Sequence, residues 1–334
     1  MKILLSAIQP SNKLTLGNYL GAIKPFVYLQ KKYKSYIFVA DLHVITNPLI
    51  NFKELNKNKR DIVAIYQASG LDLKKAHVFY QSDVLAHTAL AHIIACNSTI
   101  GELNRMTQFK DKAKKNALAN GTQMIPFGLL YYPILMAADI LLYNADIVPV
   151  GSDQTQHMEL TRNLAQRMNN KYGKMFKLPE AYITKSCARV MDLQNPLVKM
   201  SKSATSEKGV IFLFDKPEVI KNKIMAAKTD SLNAVKYDLV KQPGVSNLID
   251  IYSALTGLKI NDIEAKYKNK NYRDFKKDLA DIAISEITKI QKKYATLMKN
   301  FDRKIQPILD ANAKIANKIA NAKLNEVCKK IGIK

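Results

Sequence analysis

Apolar residues fall in short unbroken runs over the first half of the chain and at helical spacing over the second. ILLSAI at 3–8, YIFVAD at 36–41, HVFYQSD at 77–83 and DIVPVGSD at 146–153 are runs of this first kind. Their length, and their ending in Asp, Gly or other loop residues, predict buried strands. Between them lie stretches whose apolar positions recur every three or four residues. These are YLGAIKPFVYLQKKY at 19–33, RDIVAIYQASG at 60–70, AHTALAHIIAC at 86–96 and QTQHMELTRNLAQRMN at 154–169. Pro25 should kink or restart the first of these helices, and Gly70 is placed to end the second. Buried strands alternating with helices predict a parallel sheet with crossover helices, hence an α/β fold with a doubly wound, Rossmann-like sheet.

From about residue 215 the strand runs stop. DKPEVIKNKIMAAK, VSNLIDIYSALTG and DFKKDLADIAISEITKIQKKYATLMKN all have helical spacing with lysine-rich polar faces. Two domains are expected, residues 1–198 carrying the sheet and residues 199–334 mainly helical, with the last helix free to pack back on the first domain.

The length of 334 residues suits that division, and 47 % hydrophobic with 24 % charged residues is ordinary globular usage. No apolar stretch nears the roughly 18 residues of a membrane span, and the opening MKILLSAIQPSNK breaks into loop residues too early for a signal peptide, so a cytoplasmic protein is expected. Cys96, Cys187 and Cys328 are scattered and odd in number, which argues against a disulfide framework. His87, His92 and Cys96 come nearest to a metal set, but no third ligand has the right phase, and no protein metal site is expected. The net charge of +24 points to an anionic partner, nucleic acid before membrane surface. It says nothing about which one.

Three loops carry candidate chemistry. In an open parallel sheet, ligands sit beyond the carboxyl ends of the strands, where strand order reverses. QPSNKLTLGN at 9–18 follows the first predicted strand, and Gly17 and Asn18 open a helix whose N–H groups suit phosphate. Gly17 is equally a turn glycine. GSDQ at 151–154 follows a later strand; Asp153 could accept from ribose hydroxyls, or Ser152 and Asp153 could simply cap the next helix. KMSKS at 199–203 packs two lysines and two hydroxyls into five residues, either a solvated basic loop or a clamp on a triphosphate.

KMSKS complete, about 180 residues after P-x-x-x-x-TLGN standing where a HIGH tetrapeptide is usual, resembles the class I aminoacyl-tRNA synthetases. IGELNRMTQFKDK, YYPILMAADILLYNADIVPVGSDQTQHMELTRNLA and PGVSNLIDIYSALTG resemble the bacterial tryptophanyl branch of that family, and the likeness runs from residue 2 to about 330. The resemblance implies that Gln9, Pro10, Ser11, Gly17 and Asn18 hold ATP, with Gly151, Ser152 and Asp153 on its ribose side. Val190 and Met200 would meet the adenine through their backbones, and Lys199, Met200, Ser201, Lys202 and Ser203 the phosphates. Lys199, Lys202, Gly17 and Asn18 would be catalytic. Asp139 matches the acceptor for the indole N–H, Tyr132 and Gln154 lie near the ammonium, and His43, Met136, Val148 and Val150 form the pocket wall. Indole N–H can only donate, so a buried carboxylate is a selective partner for it.

The implied activity is that of a tryptophan–tRNA ligase using Mg-ATP, with tRNA(Trp) as partner and a homodimer as assembly. The family's usual residues differ at Leu5, Ala7, Asn12 and Ser152, and Leu5 gives the indole pocket less aromatic packing. Residues 112–128 are longer and less regular than is typical, and no roles transfer to them. A tyrosyl enzyme shares the architecture, and a synthetase-like RNA-binding protein without activation activity is a third reading. The chain has no tryptophan of its own.

Overall fold

The computed structural model describes residues 1–10, 13–46, 51–115, 125–151, 154–182, 190–201 and 206–334. Five strands, β1 (Ile3–Ile8), β2 (Lys34–Val39), β3 (Val78–Tyr80), β4 (Ile147–Pro149) and β5 (Glu180–Tyr182), form one sheet in the order β3-β2-β1-β4-β5. Every pairing is parallel, with Ile3 opposite Lys34, Leu4 opposite Ile147 and Ile37 opposite Val78. Strand order reverses between β1 and β4, so the doubly wound sheet expected from the alternating runs is present. Of the strands, β5 lay outside the sequence expectation. Its three residues are exposed or half-buried, so it carries no apolar run to read.

Alternation along each strand feeds two cores. Leu4, Ile37, Val39 and Val78 face one side, with the Leu55–Ala68 helix packed there through Ile62, Val63, Ile65 and Tyr66. Leu5, Tyr36, Phe38, Phe79 and Val148 face the other, under the helices Ala86–Ala95, Phe127–Leu142 and Thr155–Tyr172. Each large apolar side chain so buried contributes about 1.5–3 kcal/mol, so reversing the facing of one strand would be prohibitive.

Pro25 sits at a restart of the helix: a π-helical turn, Tyr19–Ile23, runs directly into the Lys24–Leu29 α-helix, and Pro25 falls in the first turn of the latter. Gly70 ends the Leu55–Ala68 segment with φ of +103°.

The later helices clasp the sheet. Tyr272–Lys299 buries a stripe of Phe275, Leu279, Ala283, Ile287 and Ile290 against the helices Pro217–Met225 and Leu55–Ala68. Gln306–Lys330 returns to the sheet edge, packing on β3 and the Ala86–Ala95 helix. There Asn312 donates to the carbonyls of Leu73 (2.8 Å) and Val78 (2.9 Å). These bonds satisfy backbone acceptors at an edge that would otherwise invite another strand.

Candidate active site

The described residues of the loops after β1 and β4 lie beyond the carboxyl ends of those strands, and the first loop is laced to residues 211–213. Thr15 caps the Leu16–Asn18 turn in a reciprocal box: its hydroxyl accepts from the Asn18 N–H (3.2 Å), and the Asn18 side-chain Oδ1 accepts from the Thr15 N–H (3.1 Å). The helical turn thus opens one residue before Gly17, and the Asn18 side-chain oxygen is spent on holding its own loop. Thr15 also bridges Phe212, Leu16 N–H donates to Ile211 (2.8 Å), and Leu213 N–H donates to Leu14 (2.9 Å). Gly17 is thereby set against the other signature: a Cβ there would lie 3.6 Å from Cβ of Val190 and 3.8 Å from Cβ of Met200.

Val190 and Met200 are buried neighbours. The Met200 N–H donates to the Val190 carbonyl (3.0 Å), and Met191 bridges Lys199, so KMSKS begins on the second arm of a small antiparallel pair. Asp192 shapes its turn by accepting from the N–H groups of Gln194 (2.8 Å) and Asn195 (3.0 Å). Lys199 is exposed and Ser201 half-buried. Lys202, Ser203, Ser11, Asn12, Ser152, Asp153 and Cys187 lie outside the described residues, as does most of the 112–128 segment. Gln9 is exposed and Pro10 buried at the end of β1, and exposed Gly151 accepts from the Gln154 N–H (2.9 Å) just after β4.

A second cluster fills the C-terminal ends of β2 and β3. Asp139 sits on the Phe127–Leu142 helix, 2 % exposed. Its Oδ2 meets His43 Nε2 at 2.8 Å, and its Oδ1 meets His87 Nδ1 at 2.6 Å and Gln81 Nε2 at 2.8 Å. Burial alone would raise its pKa, but the hydrogen bonds from His43 and His87 outweigh that and hold it at about 2. The carboxylate is therefore ionised and accepts from all three neighbours. Two lone pairs per oxygen leave one acceptor position, on Oδ2. Met136 is half-buried one helical turn earlier, Val148 is buried on β4, and Val150 half-buried beyond it. Tyr132, also on that helix, donates or accepts at His157 Nε2 (2.8 Å) and reaches Gln108 (3.2 Å), and burial pushes its phenol up to about 12.

Asp139 and His43 were both candidates from the sequence, and the structure brings them together; Gln81, His87 and Tyr143 were not candidates for this cluster. His87 stood out only as a weak metal candidate. Gln81 directly follows β3 and His43 comes four residues after β2, so a place just beyond a strand's carboxyl end was the available signal. Alongside them, buried Asp41 pairs with Lys59 and accepts from Ser82 N–H (2.9 Å) and Oγ (2.6 Å), tying the ends of β2 and β3 together. Among the described residues no group of His, Cys, Asp or Glu is arranged to hold a metal, and no helix is long and apolar enough to cross a membrane.

A parallel sheet whose strand order reverses between β1 and β4, a TLGN loop set against the segment that leads into KMSKS, and a buried carboxylate at the ends of β2 and β3 are together the features of a class I synthetase architecture. The family model for tRNA synthetases class I (W and Y) matches residues 2–288, and the chain belongs to that family. Within it the likeness is to tryptophan–tRNA ligases. That of Malacoplasma penetrans is 54 % identical, over 100 % of this chain and 98 % of its own. That of Bacillus subtilis is 48 % identical, over 99 % and 97 %. The crystal structure of tryptophanyl-tRNA synthetase from Mycoplasma pneumoniae superposes with a TM-score of 0.92 at 41 % identity, covering 99 % of this chain and 98 % of that one. The Campylobacter jejuni enzyme complexed with ADP and tryptophan superposes at 0.80, with 32 % identity and 99 % of each chain covered.

Proposed function

We propose that the chain activates L-tryptophan with ATP and passes the tryptophanyl group to the 3′ end of tRNA(Trp). The observation that carries the reading is the close approach of Gly17 to Val190 and Met200, which brings the loop after β1 against the segment that begins KMSKS. In the first step a tryptophan carboxylate oxygen bonds to the α-phosphorus of ATP, the bond to the bridging oxygen breaks, and diphosphate leaves with Mg2+ as part of the substrate. The nucleophile arrives ionised, so no protein base is needed. Catalysis then rests on alignment and on stabilising charge on the leaving diphosphate.

In this reading Lys199 and Lys202 supply that charge, assisted by Ser201 and Ser203. Gln9, Pro10, Ser11, Gly17 and Asn18 line the ATP side, with Gly151, Ser152 and Asp153 at the ribose and the Val190 and Met200 backbones at the adenine. Since the Asn18 side-chain oxygen is engaged in the Thr15 box, Asn18 serves by shaping the loop and through its amide NH2. Asp139 Oδ2 accepts the indole N–H, while Met136, Val148, Val150 and His43 wall the ring, and Tyr132 and Gln154 lie at the ammonium. Within residues 199–334, the helical region that follows KMSKS binds the anticodon. The enzyme acts in the cytoplasm as a homodimer. Exposed Leu85, Ile100 and Phe127, on or beside the helices Ala86–Ala95 and Phe127–Leu142, support a second copy covering that side.

Amino-acid-dependent ATP/diphosphate exchange, run without tRNA across all twenty amino acids, tests the reading. Exchange with tryptophan alone is expected. Exchange with tyrosine would transfer the assignment to the sister activity, and none with any amino acid would leave RNA binding without activation.

A further inference from the structure

We propose that His87 is a positioning residue for tryptophan selection, holding the Asp139 carboxylate in the orientation that meets the indole N–H; this rests on the role given to Asp139 above.

The proton inventory of the cluster fixes each role. Ionised Asp139 offers only acceptors, so His87 Nδ1 must carry the hydrogen in their 2.6 Å bond. The other ring nitrogen, His87 Nε2, lies 2.9 Å from the Tyr143 hydroxyl. Burial pushes the Tyr143 phenol well above its usual range, so it stays protonated. A continuous line of hydrogen bonds thus joins Tyr143, His87 and Asp139.

Sterics lock the ring as firmly as the hydrogen bonds do. His87 is 0 % exposed, with Phe38 at 5.4 Å, Tyr143 at 5.6 Å and Phe79 at 6.4 Å between ring centroids. Tyr143 in turn stacks on Tyr36 at 5.2 Å. With Gln81 sharing Oδ1, two donors pin that oxygen on the protein side. Oδ2, bound to His43 alone, is left as the oxygen with a lone pair to offer. Without His87, Oδ1 would lose its shortest bond and the carboxylate could turn, so that an indole N–H would meet it at a poorer angle. A group that aligns one acceptor affects ligands carrying the matching donor, and leaves shape-based recognition intact.

The test compares tryptophan with benzothienylalanine, its near-isostere in which sulfur replaces the ring N–H, by kcat/KM in ATP/diphosphate exchange. Wild type should favour tryptophan by about a hundredfold or more. His87→Leu should bring that ratio down to within about tenfold, chiefly through the KM for tryptophan, and His87→Asn, which keeps a donor near the Nδ1 position, should restore most of it. Tyr143→Phe, which removes only the far partner, should lower the ratio severalfold and covers the case in which His87→Leu does not fold. If the variants lose activity on both substrates in parallel with the ratio kept, His87 is structural and the proposal falls. If wild type itself shows no preference, the Asp139 reading fails first and takes the proposal with it.

Discussion

An ionised carboxylate in an apolar core is tolerated only when its lone pairs are used, and Asp139 meets that condition with His43, His87 and Gln81. Asp139→Asn places an amide NH2 against these donors, so thermal unfolding should show a loss of about 1–3 kcal/mol at neutral pH. The kcat/KM for tryptophan should fall by about a hundredfold, as for a site that loses the acceptor matched to a substrate donor. The pH dependence has a definite sign. The folded pKa, about 2, is below the ordinary 3.8, so Asp139 stabilises fully above 3.8 and loses that contribution as pH falls towards 2. In an acid titration of stability the Asn variant should therefore have the shallower limb. Lys202→Ala tests the other half of the site: kcat for exchange should fall on the order of 10²–10³-fold with the KM for ATP moving far less. A matching rise in that KM with unchanged turnover would make KMSKS a ground-state binding loop only.

At the scale of elements, the short pair that launches KMSKS is held by the helix Pro243–Thr256. Asn247 accepts from the Met191 N–H (2.8 Å) and donates to the Met191 carbonyl (3.0 Å), filling both backbone groups of one residue. Asn247→Ala should cost about 1–3 kcal/mol in denaturant unfolding, from two net hydrogen bonds in a buried setting. It should lower exchange turnover while leaving the KM for tryptophan within about twofold, since Asp139 and its partners lie elsewhere. Similarity to PGVSNLIDIYSALTG marked this helix, yet nothing in that string announces that Asn247 reaches a residue 56 positions away. The strands β1 to β4 and helices such as Thr155–Tyr172 and Tyr272–Lys299 were legible because apolar period is a local property, whereas Phe127–Leu142, buried along most of its length, offered no such stripe. The short β5, the π-helical turn before Pro25 and the His87–Asp139–Tyr143 line depend on what the chain meets after folding. Asp139 and His43 could be named as candidates through the family likeness, whereas Gln81 and His87 came into view only where the sheet brings β3 beside β2.

For the whole molecule, the net charge of +24 makes the two half-reactions respond differently to salt. Residues 256–334 hold 19 lysines and arginines against 9 acidic residues, and long helices such as Tyr272–Lys299 and Gln306–Lys330 spread them over their outer faces. A tRNA bound through several phosphates releases counterions, so affinity falls with a slope of roughly 0.7–0.9 per contact in log salt. Between about 50 and about 200 mM potassium chloride the KM for tRNA should therefore rise more than tenfold. ATP/diphosphate exchange has no polyanion to release counterions, and its substrates bind in a loop-lined site where screening is weaker. Its rate should change by no more than about twofold over the same range. Equal salt sensitivity in the two assays would mean that the lysine-rich helices do not carry tRNA affinity. Loss of salt sensitivity on neutralising Lys314 and Lys318 would place the contact on the last helix, the element that also seals the edge of β3.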